Sequence, residues 1–320
     1  MRKIILIYVF ASFLIGCSND QIESENFVKS DRILELTKAD QKFDSWDDFY
    51  KRYYANSELN LQELETAFGY AIDTESPFSP ALQAILGSDN QFLIGDKSFW
   101  VSDGVIYELD LNKDLLSQKQ NKDELIAFGQ INVESIPYEG SRSQTKSQMS
   151  ITGEIDHYIW EFYREDYIDD CGNGVHKGPK SKKFKFVNEL YSEHIRTGSV
   201  YGVHNYALWL RVKLEYNPRN NRWTGTTEGR EIEISISDNS ILRNNWGGTY
   251  PDTYTNHPYP YVLNWSSDCS SNQNFLLRTH THAGPLIESE TYWDTSCYGT
   301  ITQKIIGDSS SNKWINNVSW

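Results

Sequence analysis

The sequence predicts an α+β protein: a small N-terminal helical and β-hairpin domain over residues 41–138, then a mainly antiparallel, β-sandwich-like domain over residues 151–320. Three observations carry this. From Phe43 to Leu86 the large apolar residues recur at three- and four-residue spacing between cap and stop signals. After Ser150 the period becomes two, the repeat of strands that bury one face. Between them Gly140-Ser141-Arg142-Ser143-Gln144-Thr145-Lys146-Ser147-Gln148 is polar without an apolar anchor, so residues 139–150 are expected to be a linker.

The chain opens on MRKIILIYVFASFLIGCSND. Arg2 and Lys3 form a charged start, Ile4 to Ile15 is an apolar run too short to span a bilayer with ease, and Gly16 places a small residue before Cys17. This stretch resembles a bacterial lipoprotein signal peptide, with Leu14-Ile15-Gly16-Cys17 similar to the lipobox that is cleaved before its cysteine. The resemblance implies that residues 1–16 are a signal peptide, that Cys17 is lipidated, and that the lipid ties the protein to a membrane of the cell envelope, an outer membrane. Ser18 to Asp40 is polar and acidic, so residues 17–40 read as a tether. Asp20, Glu23 and Glu25 are similar to the acidic signals with which Bacteroidota lipoproteins reach the cell surface, although a solvated tether has the same composition.

Ser45-Trp46-Asp47-Asp48 resembles a capping box ahead of a helix with Trp46, Phe49, Tyr50, Tyr53 and Tyr54 at helical spacing. Leu61, Leu64 and Phe68 outline a second helix stopped by Gly69, and Pro80 opens a third, Ala81 to Leu86, stopped by Gly87. Two apolar runs around Gly95-Asp96 predict a hairpin, with a further strand from Val105 to Leu109 after Asp103-Gly104. Leu125 to Phe128 reads as a last short helix. The helical pair, the Ile85-Leu86-Gly87 stop and the Phe92-Leu93-Ile94-Gly95-Asp96 hairpin are together similar to the N-terminal part of uncharacterised Bacteroidota lipoproteins, known as domains of unknown function. That resemblance covers about residues 43–110; it implies a compartment and a lineage and brings no catalytic residue with it.

In the second part Tyr158, Trp160 and Phe162 alternate with His157, Ile159 and Glu161, and Leu208, Leu210, Val212 and Leu214 line one face while Trp209, Arg211, Lys213 and Glu215 take the other. Ile232, Ile234 and Ile236, then Phe275 and Leu277, then Ile301 and Ile305, repeat the pattern between turn signals such as Asn217-Pro218 and Asp238-Asn239. Six or more half-buried strands joined by turns argue an antiparallel sandwich or barrel.

The formal net charge is −14 at pH 7, and a cleaved leader would take Arg2 and Lys3 with it. An acidic balance excludes general nucleic-acid binding, which needs a basic face to displace counterions from phosphate. Of four cysteines, Cys171, Cys269 and Cys297 remain once Cys17 is lipidated. In an oxidising envelope Cys269 with Cys297 is the favoured disulfide among three pairings, because the two flank one strand pattern, and three buried thiols are the alternative.

Four stretches invite chemistry. Arg243 to Leu263 is long, holds three prolines and has no sustained period; its Trp246, Tyr250, Tyr254, Tyr259 and Tyr261 are rings on which a sugar face stacks, and Asp252 and Asn256 would meet hydroxyls. The same rings would also serve to fasten the loop to the sheet. His280 and His282, two apart in a strand, can share a zinc ion with His257 as third ligand, although no recognised metal motif completes the set, and histidines satisfied in the core look the same. Without that ion no cofactor is implied. Glu154, Asp156 and Glu161, or Glu231 and Glu233, are carboxylates that a glycoside hydrolase would need in a pair, while alternating charges on strands are also simply a solvated face. Lys177, Lys180, Lys182, Lys183 and Lys185 fit an anionic glycan, or an edge strand protected against aggregation. The sequence therefore points first to a recognition module for glycan or another envelope polymer. A polymer hydrolase and a protein-binding accessory lipoprotein are the alternatives.

Overall fold

Three helices begin where short polar side chains supply the acceptor that a free helical amide lacks. In α1 (Trp46–Asn56) Ser45 Oγ accepts from Asp48 N at 3.2 Å, and in α3 (Pro80–Leu86) Ser79 Oγ accepts from Leu82 N at 3.2 Å. In α2 (Leu61–Phe68) Asn60 and Glu63 cap each other reciprocally, both bonds at 2.9 Å, and Gly69 closes the helix in the left-handed region at φ +74°. A fourth, α4 (Leu115–Gln120), buries none of its residues.

The computed structural model of the chain describes residues 41–73, 76–136, 157–163, 183–198, 201–217, 223–226, 228–237, 241–246, 253–255, 261–270, 272–285 and 291–320. All lie within one compact unit, Asp40–Trp320. The fold is α+β and rich in strand. Its strands are β1 (Lys42–Phe43), β2 (Gln91–Ile94), β3 (Lys97–Ser102), β4 (Val105–Leu109), β5 (Ala127–Ser135), β6 (His157–Tyr163), β7 (Lys183–Thr197), β8 (Tyr201–Asn217), β9 (Thr224–Gly225), β10 (Glu228–Ile236), β11 (Ile241–Trp246), β12 (Thr253–Thr255), β13 (Tyr261–Ser270), β14 (Asn272–Pro285), β15 (Thr291–Ser296), β16 (Tyr298–Ile305) and β17 (Trp314–Ser319). No helix among the described residues is long and apolar enough to cross a membrane.

An eleven-stranded sheet runs β1-β2-β3-β4-β5-β7-β8-β14-β12, with β6 also on β7 and β9 also on β8. A four-stranded sheet runs β13-β10-β16-β17, and β11 pairs with β15. The β3–β4 turn has positive φ at both Asp103 and Gly104, the geometry that matches the right-handed twist of a two-residue hairpin.

The large sheet joins the N-terminal segment to the rest of the chain. β5 pairs antiparallel with β7 from Gly129↔Thr197 to Ser135↔Tyr191, so the residues on either side of 139–150 share one sheet. They also share one core, in which Phe49, Tyr53, Leu82 and Phe92 pack with Tyr191, Ile195 and Trp209. Residues 139–150 themselves lie outside the described residues. Leu125 to Phe128 does not form the expected helix. A 3-10 turn ends at Glu124 and β5 starts at Ala127, because Ile131 and Val133 are two apart and both buried.

β8 corrects a second expectation. Leu208, Leu210 and Val212 face a core shared with Ile232, Ile234, Ile301 and Val318 of the four-stranded sheet. Trp209 and Arg211, assigned by alternation to a polar outer face, are buried as well, since α1 and α3 cover that side. Lys183 and Lys185 also sit on a central strand, between β6 and β8, rather than on an edge. Phe184 and Phe186 are buried with Phe162 and Leu214, and Lys185 pairs with Glu215 at 2.5 Å.

Under the helices the sheet carries a polar network. The carboxylate of Glu193, on β7, accepts from the Tyr53 hydroxyl, the Ser79 amide and, at 2.7 Å, Ser79 Oγ, while Trp209 Nε1 donates to Tyr53 Oη at 3.1 Å. Burial raises the Glu193 carboxyl above its ordinary range, against the lowering effect of those donors. Beside it Arg211 donates to Asn274 Oδ1 at 3.1 Å and to the Pro77 carbonyl at 3.0 Å, lies 3.5 Å from Glu189, and covers the Tyr191 ring at 4.2 Å.

Candidate functional site

At the closed end of the β7–β8 hairpin four strands lie side by side, and their register builds a row of histidine and tyrosine. His194 stands opposite Tyr206, Tyr206 opposite His280, and His280 opposite Tyr254. In the next row Arg196 stands opposite His204, and His204 opposite His282. A bulge in β14 between Leu276 and Arg278 makes this possible. One extra residue exchanges the faces, so Leu276 packs with Trp209 under the helices whereas His280 aligns with Tyr206 on the opposite side.

His204, His280 and His282 are buried and His194 is half-buried. The His194 ring lies 4.1 Å from Tyr206 at an interplanar angle of 6°, and His204 lies 4.7 Å from His282 at 8°. Two nitrogen pairs link the imidazoles: His194 Nε2 to His204 Nδ1 at 3.0 Å, and His280 Nε2 to His282 Nδ1 at 3.1 Å. In each pair one ring donates and the other accepts, which two neutral imidazoles do and two imidazolium ions cannot. Burial, then His204, His282 and Arg196, hold His194 well below the ordinary histidine range. Burial, then His204 and His280, push His282 down to about 3. Near neutral pH these two rings are therefore uncharged.

The structure thus brings His280 and His282 together, as their spacing implies, but each spends a nitrogen on the other. His257 lies outside the described residues, and no group of three or more His, Cys, Asp or Glu among the described residues is placed to hold a metal ion. Of the aromatic stretch, Trp246 ends β11, Tyr254 lies on β12 and Tyr261 begins β13. Tyr250, Asp252, Asn256 and Tyr259 lie outside the described residues, as does Cys171. Cys297 is buried between β15 and β16, while Cys269 lies on β13 in a part whose side chains are not described, so their pairing falls outside the described residues too.

Sequence reasoning missed His194, His204 and Tyr206. A signal does exist: once 183–217 is read as a single hairpin turning near Gly198, position 194 falls opposite 206 and position 204 opposite 196. Of the carboxylates considered for hydrolysis, Glu154 and Asp156 lie outside the described residues and the other three pair with lysines. Glu161 pairs with Lys183, Glu231 with Lys304 at 3.0 Å, and Glu233 with Lys313 at 3.7 Å.

A groove of about 860 Å³ opens elsewhere, between the β2–β3 turn, the end of β4, α4 and the start of β5. Asp96, Glu108, Asp110 and Glu124 line it together with Leu111 and Ile126. Lys97 lies 2.9 Å from Glu108 and Lys113 lies 3.5 Å from Asp110. Gln118 holds both backbone groups of Asp110, each at 2.9 Å. The Asn112 amide, then that side chain's own amide and Lys113, keep the Asp110 carboxyl below its ordinary range.

No protein-family model matches this chain, and no curated protein matches it. A solved structure similar to it is the crystal structure of a DUF4848 family protein from Bacteroides thetaiotaomicron VPI-5482, at 9% sequence identity and a TM-score of 0.20, covering 87% of this chain and 96% of that one. A likeness at that level transfers neither fold nor activity.

Proposed function

We propose that the chain is a lipid-anchored protein of the cell envelope, held at an outer membrane through Cys17, that recognises a glycan or a related envelope polymer without transforming it. The observation that carries this reading is the register of β12. It adds Thr253–Thr255 to the outer side of β14 and sets Tyr254 opposite His280, at the end of the His194–Tyr206–His280 row. Thr253–Thr255 of the aromatic stretch are thereby tied to a sheet, and backbone held on a rigid support loses little freedom when a ligand binds. The pairing of Glu161, Glu231 and Glu233 with lysines supports binding over hydrolysis, since an acid catalyst needs a carboxyl that holds its proton. The core between the two larger sheets supports a β-sandwich reading of that part.

The test is a glycan-array screen of the full chain in detergent, run beside a Trp246→Ala, Tyr254→Ala double variant whose fold is checked by circular dichroism. Binding that disappears in the folded variant is expected. Absence of binding to any glycan, or binding that the variant retains in full, would overturn the reading.

A further inference from the structure

We propose that the groove between the β2–β3 turn and α4 docks a peptide segment of a partner protein that carries both cationic and apolar side chains. The inference is independent of the glycan reading and rests on different side chains. Its apolar part is Leu111, 52% exposed, Ile126, 81% exposed, and nearby Leu116 of α4, 65% exposed. Large apolar side chains scattered singly on a surface need no explanation, but two lining one groove of ligand-binding size, with a third on the adjoining helix, do.

Charge then says what kind of segment fits. Within the groove Lys97 matches Glu108 and Lys113 matches Asp110, whereas Asp96 and Glu124 have no cation within 4.0 Å among the described residues. Two negative charges are thus left beside the exposed Leu111 and Ile126. A lysine or arginine next to a leucine-like side chain complements both features, and opposite charge across a rim adds on-rate and selectivity. Anionic lipid would meet those same carboxylates with repulsion, and so would a second copy of a chain whose formal charge is −14.

Titration calorimetry of the full chain in detergent tests this, using a short blocked peptide of alternating lysine and leucine beside its glutamate–leucine and lysine–serine counterparts. The lysine–leucine peptide is expected to bind, and either counterpart to bind at least about tenfold more weakly. The charge-neutralising Asp96→Asn, Glu124→Gln double variant and, separately, Ile126→Ser are each expected to weaken binding about tenfold. All three positions are exposed, so the fold, monitored by circular dichroism, is expected to hold. Equal affinity for the glutamate–leucine peptide, no binding, or an affinity unchanged in both variants would overturn the proposal. Self-association of the chain that Ile126→Ser abolishes would also overturn it, by making the occupant a second copy.

Discussion

Tyr53 of α1 donates its phenolic hydrogen to the carboxylate of Glu193 on β7, across 140 residues of sequence. Ser79, the cap of α3, donates to the same carboxylate through both its amide and its hydroxyl. One buried acid thus fastens two helices to the sheet. Glu193→Leu would leave three buried donors without an acceptor, an expected loss of about 3 kcal/mol or more. Tyr53→Phe removes one donor of the three and is expected to cost about 1–2 kcal/mol. Urea unfolding followed by circular dichroism measures both, and a Leu variant as stable as the parent would refute the assignment.

The histidine row makes stability depend on pH in a definite direction. His194 and His282 are held neutral in the fold but titrate near 6.5 when unfolded, so unfolding takes up protons below that pH. Each group therefore lowers stability as pH falls below about 6.5, by up to about 1.4 kcal/mol per pH unit. Glu193 works the other way: its raised carboxyl holds a proton better in the fold, so its contribution declines as pH climbs from 4.5 toward its folded value. His194→Phe keeps a ring over Tyr206 and removes one titrating group. Urea midpoints from pH 7 to pH 5 are expected to fall less steeply in that variant, and an unchanged slope would count against the arrangement.

Arg211 is buried and spends its guanidinium on three directions at once, toward Asn274, the Pro77 carbonyl and Glu189. A lysine ammonium cannot reproduce that planar fork. Arg211→Lys is therefore expected to cost about 3 kcal/mol in thermal or urea unfolding, although charge is conserved. A cost below about 0.5 kcal/mol would mean the fork is not in use.

Gly129 sits where β5 meets β7, and a Cβ placed on it would lie 2.3 Å from the Arg196 carbonyl oxygen. Gly129→Ala must push the two strands apart, at an expected cost of about 2 kcal/mol seen as a lower melting temperature. Ala introduced at exposed Gly225 of β9 serves as the comparison.

Cys17→Ala is expected to abolish lipid attachment, read as loss of palmitate label and of the chain from the membrane fraction. Label retained in the variant would rule out the lipobox reading.

Helix ends and tight turns were legible in the sequence, whereas the start of β5, read as a short helix over Leu125 to Phe128, was not. Ser45, Gly69, Pro80 and Gly87 announce three helices because caps and stops act within one turn, and Gly95-Asp96 and Asp103-Gly104 announce two hairpins because a tight turn is set by its own residues. The alternation of Ile232, Ile234 and Ile236 likewise identifies the buried face of β10. Burial of Trp209 and Arg211 was not legible in the same way. Alternation reports that a strand has two faces, and it does not report that helices from far upstream cover the second.

The sequence by itself determined the acidic balance, the helix ends and the two-residue period of the strands. Only the tertiary structure decided that β5 joins β7, that Glu193 receives Tyr53 and Ser79, and that His194, Tyr206, His280 and Tyr254 form one row. The reason is physical. Helix caps and turns are settled by neighbours within a few residues, whereas strand partners are chosen by burial across the whole chain, and a single bulge at Leu276 exchanges which side chains share a face.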